Sequence, residues 1–130
     1  MKEKNKTYKI LLVDDDKFLL DMYSTKFNEK GFDVTAVFGG NEAISKLEEG
    51  LEPEIILTDV VMPVMDGFEF LAEIKNKKFA PNATVVILSN LGQKEDFDKG
   101  AALGADGYIV KATSTPTEVV AKVLQIVESK

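Results

Sequence analysis

Five short apolar runs punctuate the chain, at 8–13, 33–37, 54–57, 84–88 and 107–110. Their near-continuous apolar character predicts strands buried on both faces of a parallel sheet. The longer stretches between them carry apolar residues at helical spacing. Leu19, Met22, Tyr23 and Phe27 form the first set, and Ala43, Ile44 and Leu47 the second. Phe68, Leu71 and Ile74 follow, then Phe97, Ala101 and Leu103, then Val119, Val120, Val123, Leu124 and Val127. Start signals agree: Thr115-Pro116-Thr117-Glu118 offers a cap, a proline in the first turn and a Glu three residues on, and Asp66 with Glu69 repeats the cap-plus-three spacing. Gly31 and Gly50 are helix stops. Regular alternation of strand and helix predicts an α/β fold, doubly wound, with a five-stranded parallel sheet, right-handed crossovers and helices on both faces. Residues 1–7 are polar and read as a flexible N-terminal tail. One domain over 8–130 is expected, with no repeat and no linker, and without an attached output domain.

Composition narrows the chemistry. With 22 acidic and 16 basic residues the net charge is −6, so direct contact with nucleic acid phosphates is not expected. There is no cysteine, which removes disulfides, thiolate metal sites and thiol catalysis. There is no histidine, which removes imidazole zinc sites, Ser-His-Asp catalysis and phosphohistidine chemistry within this chain. The early apolar run Ile10-Leu11-Leu12-Val13 is broken at once by Asp14, too short for a signal peptide or a membrane span. A cytoplasmic protein without a membrane is expected.

In open α/β sheets, ligands sit outside the carboxyl ends of the strands, where the strand order reverses. The first strand is followed by Asp14-Asp15-Asp16, the third by Thr58 and Asp59, the fourth by Ser89 and Asn90, and the fifth by Lys111. Only the second, ending at Phe38-Gly39-Gly40, offers no reactive group. If that strand lies at the edge, the other four ends bring three carboxylates, a hydroxyl and an ammonium into one cleft. Asp14, Asp15 and Asp59 would repel one another unless a hard divalent cation sits among their oxygens. Carboxylates (−3), metal (+2) and Lys111 (+1) then sum to about zero, a site ready for an anion. A carboxylate there can attack phosphorus to give an acyl phosphate. Each residue alone has a plainer use: Asp16 caps the first helix, a lone Asp59 is a turn residue, and a lone Lys111 is surface charge. Agreement among four strand ends carries the reading.

The stretches 10–16, 57–67 and 104–111, with Ser89 after an apolar strand, resemble the receiver domain of two-component response regulators, over nearly the whole chain. The resemblance implies a flavodoxin-like three-layer α/β/α fold with strand order 2-1-3-4-5. It implies Asp59 as phosphoacceptor, with Mg²⁺ (Mn²⁺ as substitute) held by Asp14, Asp15, Asp59 and the Val61 backbone carbonyl. Lys111 would pair with the phosphoryl group, Ser89 would turn inward to it, and Tyr108 would be the aromatic switch. The face formed by the fourth helix, fifth strand and fifth helix would then be read by a downstream protein, and a homodimer could form through it. The phosphoryl donor would be a sensor histidine kinase or phosphotransfer protein.

Several positions depart from the common pattern or bear on it. Ala112 follows Lys111, where the family usually has proline, often after a cis bond. Cis before a non-proline residue costs about 2.5–4 kcal/mol, which favours trans and a looser segment at 112–114. Asn90 is larger than the usual Ala or Gly, and either narrows the entrance or hydrogen-bonds the phosphoryl group. In the family the positions of Val61 and Leu91 flank the path of attacking water, so the resemblance implies that they, with Asn90, tune dephosphorylation; Val61 and Leu91 are apolar and cannot orient water, and slow loss of the phosphoryl group is expected. A phosphohydrolase would need an acid where Val61 stands. A flavin protein would need a phosphate loop where the three aspartates stand. A degenerate receiver that binds partners without phosphorylation is the alternative to a phosphorylated switch. The contiguous aspartates do not match an EF-hand loop.

Overall fold

A computed structural model describes residues 7–130. Ten elements alternate: β1 Lys9–Val13, α1 Lys17–Glu29, β2 Asp33–Val37, α2 Gly40–Glu48, β3 Ile55–Thr58, α3 Gly67–Asn76, β4 Thr84–Ser89, α4 Lys94–Ala102, β5 Gly107–Val110 and α5 Pro116–Glu128. A short 3₁₀ turn, Lys111–Thr113, joins β5 to α5. All strand pairs are parallel and the order is β2-β1-β3-β4-β5, as the sequence predicts.

Side chains of successive strand residues point to opposite faces, so one strand feeds two cores. Leu11, Val13, Ile56 and Ile87 meet Ala43, Ile44 and Leu47 of α2 and Phe70 and Leu71 of α3. Ile10, Leu12, Ile55, Leu57, Val86 and Leu88 meet Leu20, Tyr23 and Phe27 of α1 and Val119, Val120 and Val123 of α5. Burying each such side chain is worth about 1.5–3 kcal/mol, which is why an unbroken apolar run makes a central strand here.

The predicted caps form. Asp16 accepts from the Leu19 N–H at 3.1 Å, and both Asp66–Glu69 and Thr115–Glu118 close capping boxes. Gly31 and Gly50 follow α1 and α2 with φ of 89° and 108°, a conformation that a side chain would strain.

Some expectations need correction. The buried stripe of α1 is Leu20, Tyr23 and Phe27, not Leu19 and Met22. In α4 only Gly100 is buried, and Phe97 and Ala101 lie at the surface. The reason is steric: a Cβ on Gly100 would come within 2.6 Å of Ile87 and 3.5 Å of the Tyr108 ring. The missing side chain at Gly100 lets α4 sit close to the sheet, and its apolar spacing does not mark its core face. Strands β3 and β4 each run one residue further than predicted, taking in Thr58 and Ser89. The tail predicted for 1–7 lies, apart from Thr7, outside the described residues. Among the described residues no helix is long and apolar enough to cross a membrane.

Candidate functional site at the carboxyl ends of the strands

From β1 the chain passes to β2 on one side and then to β3 on the other. The carboxyl ends of β1 and β3 therefore flank the crevice where an α/β sheet receives its ligand. Asp14 leaves β1 and Asp59 leaves β3, and both are buried, at 3% and 8% exposure. The Asp59 N–H donates to the Val13 carbonyl at 2.9 Å, so the ladder itself sets one acid beside the other.

Lys111, the first residue past β5, joins them. Its Nζ lies 2.7 Å from Asp14 Oδ2 and 2.8 Å from Asp59 Oδ2. The other oxygen of each acid is also engaged. Asp14 Oδ1 accepts from the Asp16 N–H at 2.9 Å, and Asp59 Oδ1 from the Val60 N–H at 2.7 Å. Asp15 is exposed and adds a third carboxylate, and one oxygen from each of Asp14, Asp15 and Asp59 lies within 4.8 Å of the others. Three carboxylates and one ammonium carry a net −2, which one divalent cation cancels. Oxygen-only donors suit a hard ion such as Mg²⁺.

Burial pushes the Asp14 carboxyl above its ordinary pKa, and the Lys111 and Asp16 hydrogen bonds only partly oppose this. Burial alone would lower the Lys111 pKa, but its bonds to Asp14 and Asp59 outweigh that and raise it. The lysine is thus held as a cation by the acids it bridges.

The loop after Asp59 is shaped for close approach. The Gly67 N–H donates to the Val60 carbonyl at 2.8 Å, and any Cβ on Gly67 would collide with the Asp59 carbonyl oxygen. The Thr58 hydroxyl donates to that same carbonyl at 2.9 Å. Val64, at the tip, has φ of 69° and is 90% exposed.

Ser89 and Tyr108 form a separate cluster. Ser89 is buried and its Oγ accepts from the Leu91 N–H at 3.2 Å, while the Tyr108 hydroxyl donates to the Leu91 carbonyl at 2.6 Å. The Tyr108 ring meets Phe97 edge-on at 4.7 Å. Burial, then the Asp96 charge, raise the Tyr108 pKa. Neither residue hydrogen-bonds to the Asp14–Lys111–Asp59 group. Val61 is 62% exposed, two residues past Asp59. Asn90 Oδ1 accepts from the Ala112 N–H at 2.8 Å, a partner that neither sequence alternative named. The Lys111–Ala112 bond is trans, and residues 111–113 form a defined 3₁₀ turn rather than an irregular loop.

Strand-end reasoning thus found Asp14, Asp15, Asp59 and Lys111. It named Thr58 only as a residue at the end of the third strand and gave Gly67 no role, although both shape the Asp59 backbone. A glycine just after an Asp in an N-cap position was the available signal for Gly67. The Asn90–Ala112 bond spans 22 residues between a side chain and a main-chain N–H, and leaves no pattern in the sequence.

Known proteins are similar to this chain in sequence and fold. The model of the response regulator receiver domain family matches residues 10–124. The regulatory protein VanRc of Enterococcus gallinarum is 36% identical over 115 residues, 88% of this chain and 48% of that protein. The chain therefore spans about half the length of this curated relative. The chemotaxis response regulator CheY4 of Vibrio cholerae superposes with a TM-score of 0.84 at 28% identity, covering 93% of this chain and 99% of that one. A Francisella response regulator receiver domain does so with a TM-score of 0.83 at 32% identity, covering 95% and 98%. With its sheet order, its acidic pair after β1 and its lysine after β5, the chain belongs to the response regulator receiver domain family.

Proposed function

We propose that this chain, over 8–130, is a phosphorylation switch that accepts a phosphoryl group on Asp59. The observation that carries this reading is the Lys111 ammonium, 2.7 and 2.8 Å from Asp14 and Asp59, beside a third carboxylate. The donor is a phosphohistidine on a sensor kinase or phosphotransfer protein, which fits the lack of histidine in this chain. An Asp59 carboxylate oxygen attacks phosphorus and forms the O–P bond. The P–N bond breaks and its electron pair stays on the donor imidazole. Asp14, Asp15 and Asp59, with the Val61 carbonyl, would hold Mg²⁺, or Mn²⁺ in its place. When bound, the ion supplies positive charge against the transferring phosphoryl oxygens. Lys111 pairs with those oxygens from the β5 side.

Acceptance of the phosphoryl group draws the Ser89 hydroxyl from the Leu91 N–H. The carbonyl of that same residue, Leu91, holds the Tyr108 hydroxyl, so the change reaches α4, β5 and α5, the face a partner protein in the cytoplasm reads. The chain turns over no other substrate and catalyses only the gain and loss of its own phosphoryl group. Val61 and Leu91 place no polar group near the path of attacking water, and Asn90 is committed to Ala112, so that loss is slow. Phosphate release within seconds would contradict this last point.

Intact mass after incubation with Mg²⁺ and a small acyl phosphate tests the reading. The native protein should gain one phosphate and Asp59→Asn none. A gain in the variant, or none in the native protein, overturns it.

A further inference from the structure

Two strand ends that carry the site are tied together by a side chain outside it. Asn90 is the first residue past β4, next to Ser89, and Ala112 is the residue after Lys111. The Asn90 Oδ1 accepts from the Ala112 N–H at 2.8 Å. That N–H lies in the opening turn of a 3₁₀ segment, where no carbonyl of the turn itself can reach it. The turn closes behind it, with the Ser114 N–H on the Lys111 carbonyl at 3.2 Å. Val110, at its N-cap position, offers no side-chain cap. Asn90 supplies that cap from a different strand. The far end is braced separately, by Thr113 Oγ1 on the Val110 carbonyl at 3.2 Å and by Lys122 Nζ on Ser114 Oγ at 2.7 Å.

Lysine has a long, flexible stem, so where its ammonium settles depends on how firmly its backbone is anchored. The ammonium of Lys111 sits in a narrow place, with its side chain only 8% exposed between Asp14 and Asp59. From this geometry we propose that Asn90 is a positioning residue for Lys111, coupling the segment that holds Ser89 to the segment that holds Lys111. The functional half of the proposal rests on Asp59 being the phosphoacceptor. A phosphoryl group there draws on both a hydroxyl from the β4 end and an ammonium from the β5 end. The tether makes those two displacements one. Both Asn90 and Ala112 are exposed, so the bond is modest, and the expected effect is partial.

The test compares the native protein with Asn90→Ala, Ala112→Pro and the double variant. Proline removes the N–H and has a φ compatible with a 3₁₀ turn. Three readouts are taken: phosphoryl uptake from acetyl phosphate at saturating Mg²⁺, exchange of the Ala112 amide proton, and the NMR signal of the Lys111 ammonium. Asn90→Ala should slow uptake about three- to tenfold. It should also speed Ala112 amide exchange by a comparable factor or more and shift the Lys111 ammonium signal. Ala112→Pro also restricts the backbone of Lys111, so its reading is the double variant: adding Asn90→Ala to it should change little, because the same bond is already gone. Uptake by Asn90→Ala within twofold of native, or effects of the two changes that multiply, overturns the coupling. If the native protein takes up no phosphate, the phosphoacceptor reading fails by itself. The ammonium signal and the amide exchange then still decide positioning, and an unchanged Lys111 signal in Asn90→Ala overturns it.

Discussion

At the amino ends of the strands, Leu51, Pro53, Phe79, Ala80 and Pro81 help line a depression of about 610 Å³. At the carboxyl ends, the space beneath Asp14 and Asp59, walled by Leu12, Tyr23, Leu57 and Leu88, is about 10 Å³, room for one water. Volume points to the first end and chemistry to the second. In the large depression, Glu54 is engaged by the Lys9 N–H, and no cluster of three acids forms there among the described residues. At the small end three elements drive Asp14, Asp59 and Lys111 into contact. The proposed function calls for converging charge at an open rim, not for a cavity that encloses a substrate. Concavity alone selects the opposite end of this sheet from the one that gathers the charge.

The sharpest way to break this contrast is to remove the cation. Lys111→Met leaves two buried carboxylates facing each other. Stability at neutral pH should fall by about 2–3 kcal/mol in denaturant unfolding, somewhat less than for a fully enclosed pair because water reaches the rim. Asp59→Asn removes one of the repelling acids and should leave stability equal or higher. At the other end, Glu52→Gln should change it by less than about 0.5 kcal/mol. If all three variants unfold alike, the carboxyl end holds no special electrostatic energy.

Mg²⁺ should act on the same end. An ion that binds only the folded protein stabilises it by about 1.4 kcal/mol at ten times its dissociation constant. Thermal unfolding should therefore rise with Mg²⁺ in the native protein. The rise should be largely lost in Asp15→Asn, whose exposed carboxylate completes the cluster. An equal rise in both would move the ion elsewhere.

The smallest effect concerns backbone strain, which both ends carry. Val64 near the site has φ of 69°, and Lys78 and Ala80 beside the large depression have φ of 58° and 44°. A β-branched residue is the least suited to that region, and Val64 is 90% exposed with little packing to lose. Val64→Asn should stabilise the chain by about 1 kcal/mol, raising its melting temperature by about 4 °C. A drop in melting temperature would mean that Val64 makes contacts which outweigh its strain.

The two ends also differ in how far the sequence reveals them. Unbroken apolar runs reveal the central strands β1, β3 and β4 because both faces of the sheet are covered there, and the half-buried edge strands β2 and β5 also fall where the pattern puts them. Residues just past those runs are placed by topology, which is how Asp14, Asp59 and Lys111 come together on paper. Pattern cannot tell that Lys111 pairs with Asp14 rather than Asp15, since that depends on which side of the backbone each carboxylate leaves. Nor does it reveal which face of α4 is buried, since its one buried position is a glycine and its Phe97 packs edge-on against Tyr108 at the surface. The Asn90–Ala112 tie stays hidden because any exposed Asn carries the same signal.

The account stands on one chemical location. Borohydride cleaves an acyl phosphate and converts the aspartate that bore it to homoserine. Mass-spectrometric mapping after Mg²⁺, acetyl phosphate and borohydride should find homoserine at position 59 alone. Homoserine at 14 or 15, or an unaltered Asp59 in protein that carries phosphate, would contradict the account.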